Sequence, residues 1–404
     1  MSRYRGGRRL PFLPVVAAAA ALVIGLLVLL LPREEAQLPN RQPSVSTMAP
    51  QKPVPAPGPD VSQPEPDARP EGQPPAVRGI YVTGPVAGSR HMEDLTALVE
   101  ETELNAMVID VKNDEGRLSF VPETGEAARL GAGTRYVQDL PGLVASLKEK
   151  QIYTIARIVA FKDPVLAQAR PELALCTADG QPVSEGGGIA WVDPASQEVW
   201  DYLLEIAQFA VQAGFDEVQF DYVRYPAVSG LPEEDRQAMI TGFLAYAREE
   251  LHAAGVWLSA DVFGTVIDSA VDARQLGQSY PDMAQAADFI CPMVYPSHYA
   301  AGAYGLDVPD QKPYETVRAA LDRSSDALAG TENPAGVRAW LQGFTATWVR
   351  GHIRNGGEEL RAQIQAVYDA GYTDWIIWNA NNNYPADGLL PSEGDHHNDR
   401  QQEQ

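Results

Sequence analysis

Three aspartates stand out because each closes a short apolar run. They are Asp110 in Val108-Ile-Asp-Val-Lys-Asn113, Asp221 in Gln219-Phe-Asp-Tyr-Val-Arg-Tyr-Pro226, and Asp261 in Ser259-Ala-Asp-Val-Phe-Gly264. A carboxylate inside an apolar run is costly to bury unless it is paired, so several of them in one chain need a reason. Two carboxylates flanking a glycosidic bond supply one: the first protonates the leaving oxygen, and the second attacks the sugar or activates a water. Like charges held close push one pKa upward, which suits a general acid at neutral pH. Lys112, Arg157 and Arg224 are the cations expected to keep a partner carboxylate ionised. The competing reading is that these aspartates only form ion pairs that tie a loop cluster together. For Asp193, in Trp191-Val-Asp-Pro194, capping of the following helix is the expected role.

To act together, the aspartates must be brought together by the fold. From Arg78 to about residue 386, β-branched and aromatic runs alternate with helical segments. The expected strands are 79–84, 106–112, 152–159, 217–224, 256–263, 289–295, 337–344 and 374–379. The expected helices are 92–103, 140–150, 197–212, 233–253, 314–328 and 358–370. Repeated β-then-α order implies a parallel sheet, and eight repeats over about 300 residues fit a closed (β/α)8 TIM barrel. An open doubly wound sheet is the alternative, but no Gly-rich phosphate fingerprint follows the first strand.

In such a barrel, chemistry sits at the C-terminal strand ends. Every second strand residue points inward. Assigning apolar residues to the helix-facing side puts Val108, Asp110 and Lys112 of strand two inside, with Gln219 and Asp221 of strand four and Ser259 and Asp261 of strand five. Strand three contributes Arg157, strand six Tyr295, strand seven Gln342, and strand eight Trp378 or Asn379. Tyr81, Tyr295 and Trp378 offer flat rings for sugar faces, with Gln342 and Asn379 as further substrate-binding candidates. Tyr222 is expected to face the helices. The insertion Leu173–Asp193, with Gly186 to Gly188, is expected to form a flexible wall or lid of the cleft.

The flanks say where the barrel works. Arg3, Arg5, Arg8 and Arg9 precede an uncharged run from Leu10 to Leu31, long enough to cross a bilayer. The basic side should stay cytoplasmic. The expected organisation is a basic tail at 1–9, a transmembrane anchor at 10–31, a disordered Pro-rich linker at 32–76, a TIM-barrel domain at 77–390 and a polar tail at 391–404. A cleaved signal peptide is the rival for the first segment. Either way the barrel is expected outside the cytoplasm, and the anchor reading makes it a single-pass protein of the cell membrane. The formal net charge of −23 disfavours nucleic acid as a partner. The two cysteines, Cys176 and Cys291, could pair in an oxidising compartment, but Cys291 lies inside an apolar strand run and separate buried thiols are the expected state. No Cys/His spacing suggests a metal site, and no cofactor is expected.

The opening Arg78-Gly-Ile-Tyr-Val-Thr83, the three aspartate motifs, Trp191-Val-Asp-Pro194 and Cys291-Pro-Met-Val-Tyr-Pro296 occur in order. Over nearly all of 78–385 the chain resembles a bacterial glycosyl hydrolase family with a (β/α)8 barrel, distantly alpha-amylase-like. The resemblance implies carbohydrate as substrate and places Asp221 at the strand-four nucleophile position. At the strand-five acid position, where the alpha-amylase-like pattern has Glu, this chain has Asp261. Where that pattern has Arg two residues before the nucleophile, this chain has Gln219. The reading is therefore a glycoside hydrolase acting on an extracellular or cell-wall polysaccharide, with Asp221 and Asp261 catalytic. The alternative is a wall-associated barrel that binds glycans without turnover.

Overall fold

The computed structural model describes residues 70–185, 189–232 and 235–392. The expected basic tail and anchor, and most of the linker, lie outside them. Among the described residues, no helix is long and apolar enough to cross a membrane.

Eight parallel strands close into a barrel: β1 Arg78–Val82, β2 Ala106–Lys112, β3 Tyr153–Val159, β4 Glu217–Asp221, β5 Trp257–Phe263, β6 Phe289–Met293, β7 Gly336–Gln342 and β8 Asp374–Trp378. Each strand pairs with its neighbours in sequence, and β8 returns to β1 through Arg78 opposite Trp375. The major helices on the outside are α1 His91–Glu101, α2 Leu140–Glu149, α3 Gln197–Ala213, α4 Arg236–Ala253, α5 Tyr280–Ala286, α6 Pro313–Leu328 and α7 Gly357–Asp369. After β8 the described chain forms a single 3-10 turn, Ala386–Gly388. It then runs to the end of α1, where Glu103 N–H donates to the Leu390 carbonyl, Leu390 N–H donates to the Glu103 carboxylate, and Ser392 N–H donates to the Glu101 carbonyl. Arg361 of α7 reaches the same Glu103 and the Gly388 carbonyl, so this return segment ties α7 to α1.

Alternation along the strands sorts the core into two layers. Ile109, Val111, Ile158, Val218, Phe220, Leu258, Ala260 and Val262 pack outward with the helices. Phe220, for instance, meets Phe243 of α4 edge to face at 4.9 Å. Tyr81, Val108, Ile155, Cys291, Trp340 and Ile376 form the inner layer. Helix ends carry their own local signals. Asp139 and Asp235 accept hydrogen bonds from Gly142 and Ala238 at the starts of α2 and α4. Gly214 ends α3 at φ +92°, a conformation that favours glycine.

Three strands stop earlier than their apolar runs suggest. β4 ends at Asp221 because Tyr222 turns the chain in the left-handed region, at φ +49°. β6 ends at Met293, leaving Tyr295 in the following turn, and β7 ends at Gln342. In β2 the register with β3 shifts between Asp110 and Lys112. That irregularity breaks the simple alternation, and it decides where Lys112 goes.

Candidate functional site

Arg157, near the C-terminal end of β3, is the hub. Its Nη1 donates to Asp110 Oδ1 at 2.5 Å, and its Nε and Nη2 donate to Asp221 Oδ2 at 3.0 and 2.5 Å. The planar guanidinium thus spans the two neighbouring strands, a geometry a lysine cannot copy. Asp221 Oδ1 accepts the backbone N–H of Tyr222 at 2.6 Å. Tyr222 itself lies in the left-handed region at φ +49°, a conformation that costs a non-glycine residue energy and clusters at functional sites. Asp110 Oδ2 accepts the Tyr81 hydroxyl at 2.5 Å. Burial outweighs Arg157 and Tyr81 and leaves the Asp110 pKa above its ordinary value.

Asp261 lies in a contrasting environment. It is 1% exposed, and its side chain accepts one described hydrogen bond, from Trp340 Nε1 at 2.6 Å. Burial first, and then the nearby Asp221 carboxylate, push its pKa well above the usual carboxylate range. One carboxylate with three donors and a second with one donor and a raised pKa is the asymmetry that separates a base or nucleophile from an acid. Among the described residues, no group of three or more His, Cys, Asp or Glu could hold a metal ion.

The other expected residues divide. Tyr81 and Trp378 stack with ring centroids 6.3 Å apart, and Tyr295 meets Trp378 at 5.9 Å, so these three rings line the same mouth as the carboxylates. The Tyr81 ring also lies 5.5 Å from the Arg157 guanidinium. Gln342 and Asn379 brace loops. The Gln342 amide donates to Asp310 and to the Phe344 carbonyl and accepts from Ser297 N–H. Asn379 donates to the carbonyls of Gly343 and Asn383. Lys112 does not join the carboxylates. Past the register shift it is fully buried, 3.0 Å from Asp163 and 2.6 Å from the Val159 carbonyl. Arg224 is buried and donates to the Tyr225 carbonyl, and its guanidinium lies 4.7 to 5.1 Å from the rings of Phe263, Trp191 and Tyr222. Tyr222 is half-buried against Trp191 and Lys162 rather than against the helices.

Asp193 forms a turn, accepting from the Ala195 N–H just before Ser196, the cap residue of α3. In the insertion, Ser184–Glu185 pairs with Ile189–Ala190 in a short antiparallel hairpin, and Gly186 to Gly188 lie outside the described residues. Cys176 and Cys291 are both free thiols. Cys291 is buried as expected, but Cys176 is partly exposed because it lies in this insertion rather than in a strand.

Several residues of the site were not singled out by their sequence context. Trp340 holds the acid candidate, and its signal was its place two residues before Gln342 in the same inward frame. Asp114 pairs with Lys162 at 3.1 Å beside the Tyr222 ring. Burial pushes the Asp114 pKa up, but Lys162, with Arg157 and a backbone hydrogen bond, outweighs it and leaves the value below the ordinary one. Lower in the barrel, Glu217 accepts from Arg338, Ser259 and Tyr153 at 2.7, 2.5 and 3.2 Å. This enclosed ion pair fills the interior beneath the three aspartates. Inward polar residues at the start of a strand gave no way to distinguish such a plug from a site.

A family model described as a putative glycosyl hydrolase domain matches residues 79–384. No curated protein matches the chain. Among solved structures, the PgaB (BpsB) glycoside hydrolase domain from Bordetella bronchiseptica is similar with a TM-score of 0.56 and 15% identity, over 76% of this chain and 94% of that one. That likeness shows a shared fold. A hypothetical protein from Ruminiclostridium thermocellum ATCC 27405 is 37% identical over 45% of this chain and 97% of that one, with a TM-score of 0.43.

Proposed function

The chain belongs to the putative glycosyl hydrolase domain family, and from that premise we propose that it cleaves glycosidic bonds of an extracellular or cell-wall polysaccharide through Asp261 and Asp221. The observation that carries this is the contrast between the two carboxyl groups. Asp261, nearly enclosed and facing another carboxylate, is biased toward its protonated form and gives that proton to the departing glycosidic oxygen. Asp221, with three donors on its oxygens, carries negative charge toward the anomeric carbon. It either attacks that carbon directly or takes the proton of an attacking water. Asp110, Arg157 and Tyr81 hold Asp221 in place. Tyr81, Tyr295 and Trp378 offer ring faces to the sugar. Arg224 supports the opposite rim through the Trp191 and Phe263 rings.

The alpha-amylase-like pattern fits only loosely. The guanidinium that this pattern places two residues before the nucleophile comes here from Arg157, the Cα partner of Gln219 on the neighbouring strand. In the proposed setting the uncharged run at 10–31 anchors the chain as a single pass, and the Pro-rich segment holds the barrel outside the cytoplasm.

The 1% exposure of Asp261 favours a second reading, a glycan-binding barrel without turnover. Incubating the full chain with cell-wall and exopolysaccharides, with detection of new reducing ends, decides between them. Asp221→Asn should abolish release by about a thousandfold or more while the fold is kept. Full activity in that variant refutes the assignment, and equal binding without release in both proteins favours the second reading.

A further inference from the structure

A continuous aromatic path leaves the carboxylates and ends on the surface. Tyr295 and Trp378 both meet Phe344, at 6.0 and 5.2 Å. Phe344 stacks on Trp348 at 5.9 Å with planes 20° apart. His298 packs edge-on to Tyr295, Phe344 and Trp348. Trp348 is 45% exposed, and few large hydrophobic side chains among the described residues are as open.

Trp348 lies on the β7–α7 connection, and that connection has an unusual charge for this protein. In a chain of net charge −23, residues 343 to 357 contain no Asp or Glu but include Arg350, His352 and Arg354. Both arginines are exposed, and neither forms an ion pair among the described residues. Three acidic groups pack against the loop: Asp310 under its middle and, at its C-terminal end, Glu359, which accepts from Gly356 N–H at 2.9 Å, and Asp387, whose carboxylate lies against Gly357. Asp310 is buried, and its carboxylate is occupied by Gln342 Nε2 at 3.1 Å and Ile353 N–H at 3.2 Å. With Gln311 on the Gly351 carbonyl, these bonds fix the loop in place.

We propose that Trp348, Arg350 and Arg354 form an outer subsite for an anionic sugar unit, carrying carboxylate or phosphate, of the polysaccharide cleaved at Asp221 and Asp261. The proposal rests on the glycosidase reading for its place on the chain of sugars. Carboxylates crowd the barrel mouth and repel an anionic unit there, so the charged sugar sits away from the scissile bond. The ring path leads to a platform where guanidinium groups can pair with it. Trp348 supplies the flat face for the sugar ring.

The test measures binding in the full-length Asp221→Asn protein, so that turnover does not consume the probe. The probes are peptide-free peptidoglycan glycan strands bearing lactyl carboxylates, the same strands after carboxyl reduction, and a teichoic polymer with a sugar-phosphate repeat. Arg350→Gln with Arg354→Gln should weaken binding of an anionic probe about fivefold, as expected for two partly exposed charge contacts. It should leave the reduced strands unaffected, and salt should shrink the difference. Trp348→Ala should weaken charged and reduced strands alike. Preference for the carboxylate strands or for the teichoic polymer identifies the anion's source. Equal affinity for charged and reduced strands, or no effect of the arginine pair, overturns the subsite. Reducing-end release by the chain with Asp221 intact is measured in parallel. Its absence beside charge-dependent binding sinks the glycosidase reading alone, and its presence without charge dependence sinks the subsite alone.

Discussion

Asp261→Asn should abolish activity and at the same time stabilise the protein, and the stabilisation should grow with pH. Asp261 is 1% exposed, its side chain receives one described hydrogen bond, and it faces Asp221. Its folded pKa lies well above the ordinary carboxylate value because of burial and then that neighbouring charge. The sign follows from linkage. Below the unfolded pKa, near 4, both states hold the proton and the group contributes nothing to the pH dependence. As pH rises above that value the unfolded chain ionises while the folded site keeps its proton, so the unfolded state binds fewer protons and stability falls. The loss continues until pH passes the folded pKa. An asparagine keeps an oxygen to accept from Trp340 Nε1 but cannot ionise. Relieving a strained functional position with a residue that cannot ionise is expected to return roughly 0.5–2 kcal/mol, the range of single stabilising substitutions, which is about 1–4 °C in melting temperature for a domain of this size. Thermal melts of both proteins from pH 4 to pH 8 measure it. The gain should be absent or reversed at pH 4 and largest at neutral pH. A destabilisation that is the same at every pH would refute the assignment of Asp261 as a strained, protonated acid.

Arg157→Lys keeps the charge but loses the fork that spans Asp110 and Asp221. At about 1.5–3 kcal/mol for each charge-assisted bond lost, kcat should fall at least tenfold with little change in KM, and steady-state kinetics on the active polysaccharide would check this. Lys112→Met should leave the site geometry alone but strand the buried Asp163, costing roughly 3–5 kcal/mol in denaturant unfolding. Lys112→Met with Asp163→Asn should recover much of that loss, and failure to recover would mean that Lys112 acts through something other than its partner.

The barrel was legible because its strands are nearly continuous β-branched runs, and buried parallel strands read that way. The inward frame was legible where alternation is undisturbed, which covers Asp110, Arg157, Asp221 and Asp261. It failed where backbone geometry departs from the period of two. Lys112 follows a register shift, which moves it from the mouth to Asp163. Tyr222 follows the end of β4 in a left-handed turn, which swings its ring toward Trp191. Gln342 and Asn379 lie in the expected places, but their amides are engaged by loop carbonyls and by Asp310, and contacts set by loop shape leave no trace in spacing. The helix expected at 233–253 begins at Arg236, with Asp235 as its cap, and Glu233 and Glu234 lie outside the described residues.

The position of the guanidinium bears on how such a site can be built. In the alpha-amylase-like arrangement the arginine and the strand-four aspartate share one strand, and the inward frame separates them by two residues. Here residue 219 is Gln, fully buried, with its amide nitrogen 3.4 Å from Cys291 Sγ, and it gives Asp221 no charge. Arg157 occupies the paired position on β3 and points into the same barrel interior. Adjacent strands lie ~4.8 Å apart, so a long side chain from the neighbour reaches the carboxylate as readily as one from the same strand. The transfer has a chemical consequence. An arginine on β3 lies between β2 and β4, so it binds Asp110 and Asp221 at once and couples them. Any change in the charge of Asp110, including loss of the Tyr81 hydroxyl that bonds it, is then felt at Asp221 through a shared guanidinium.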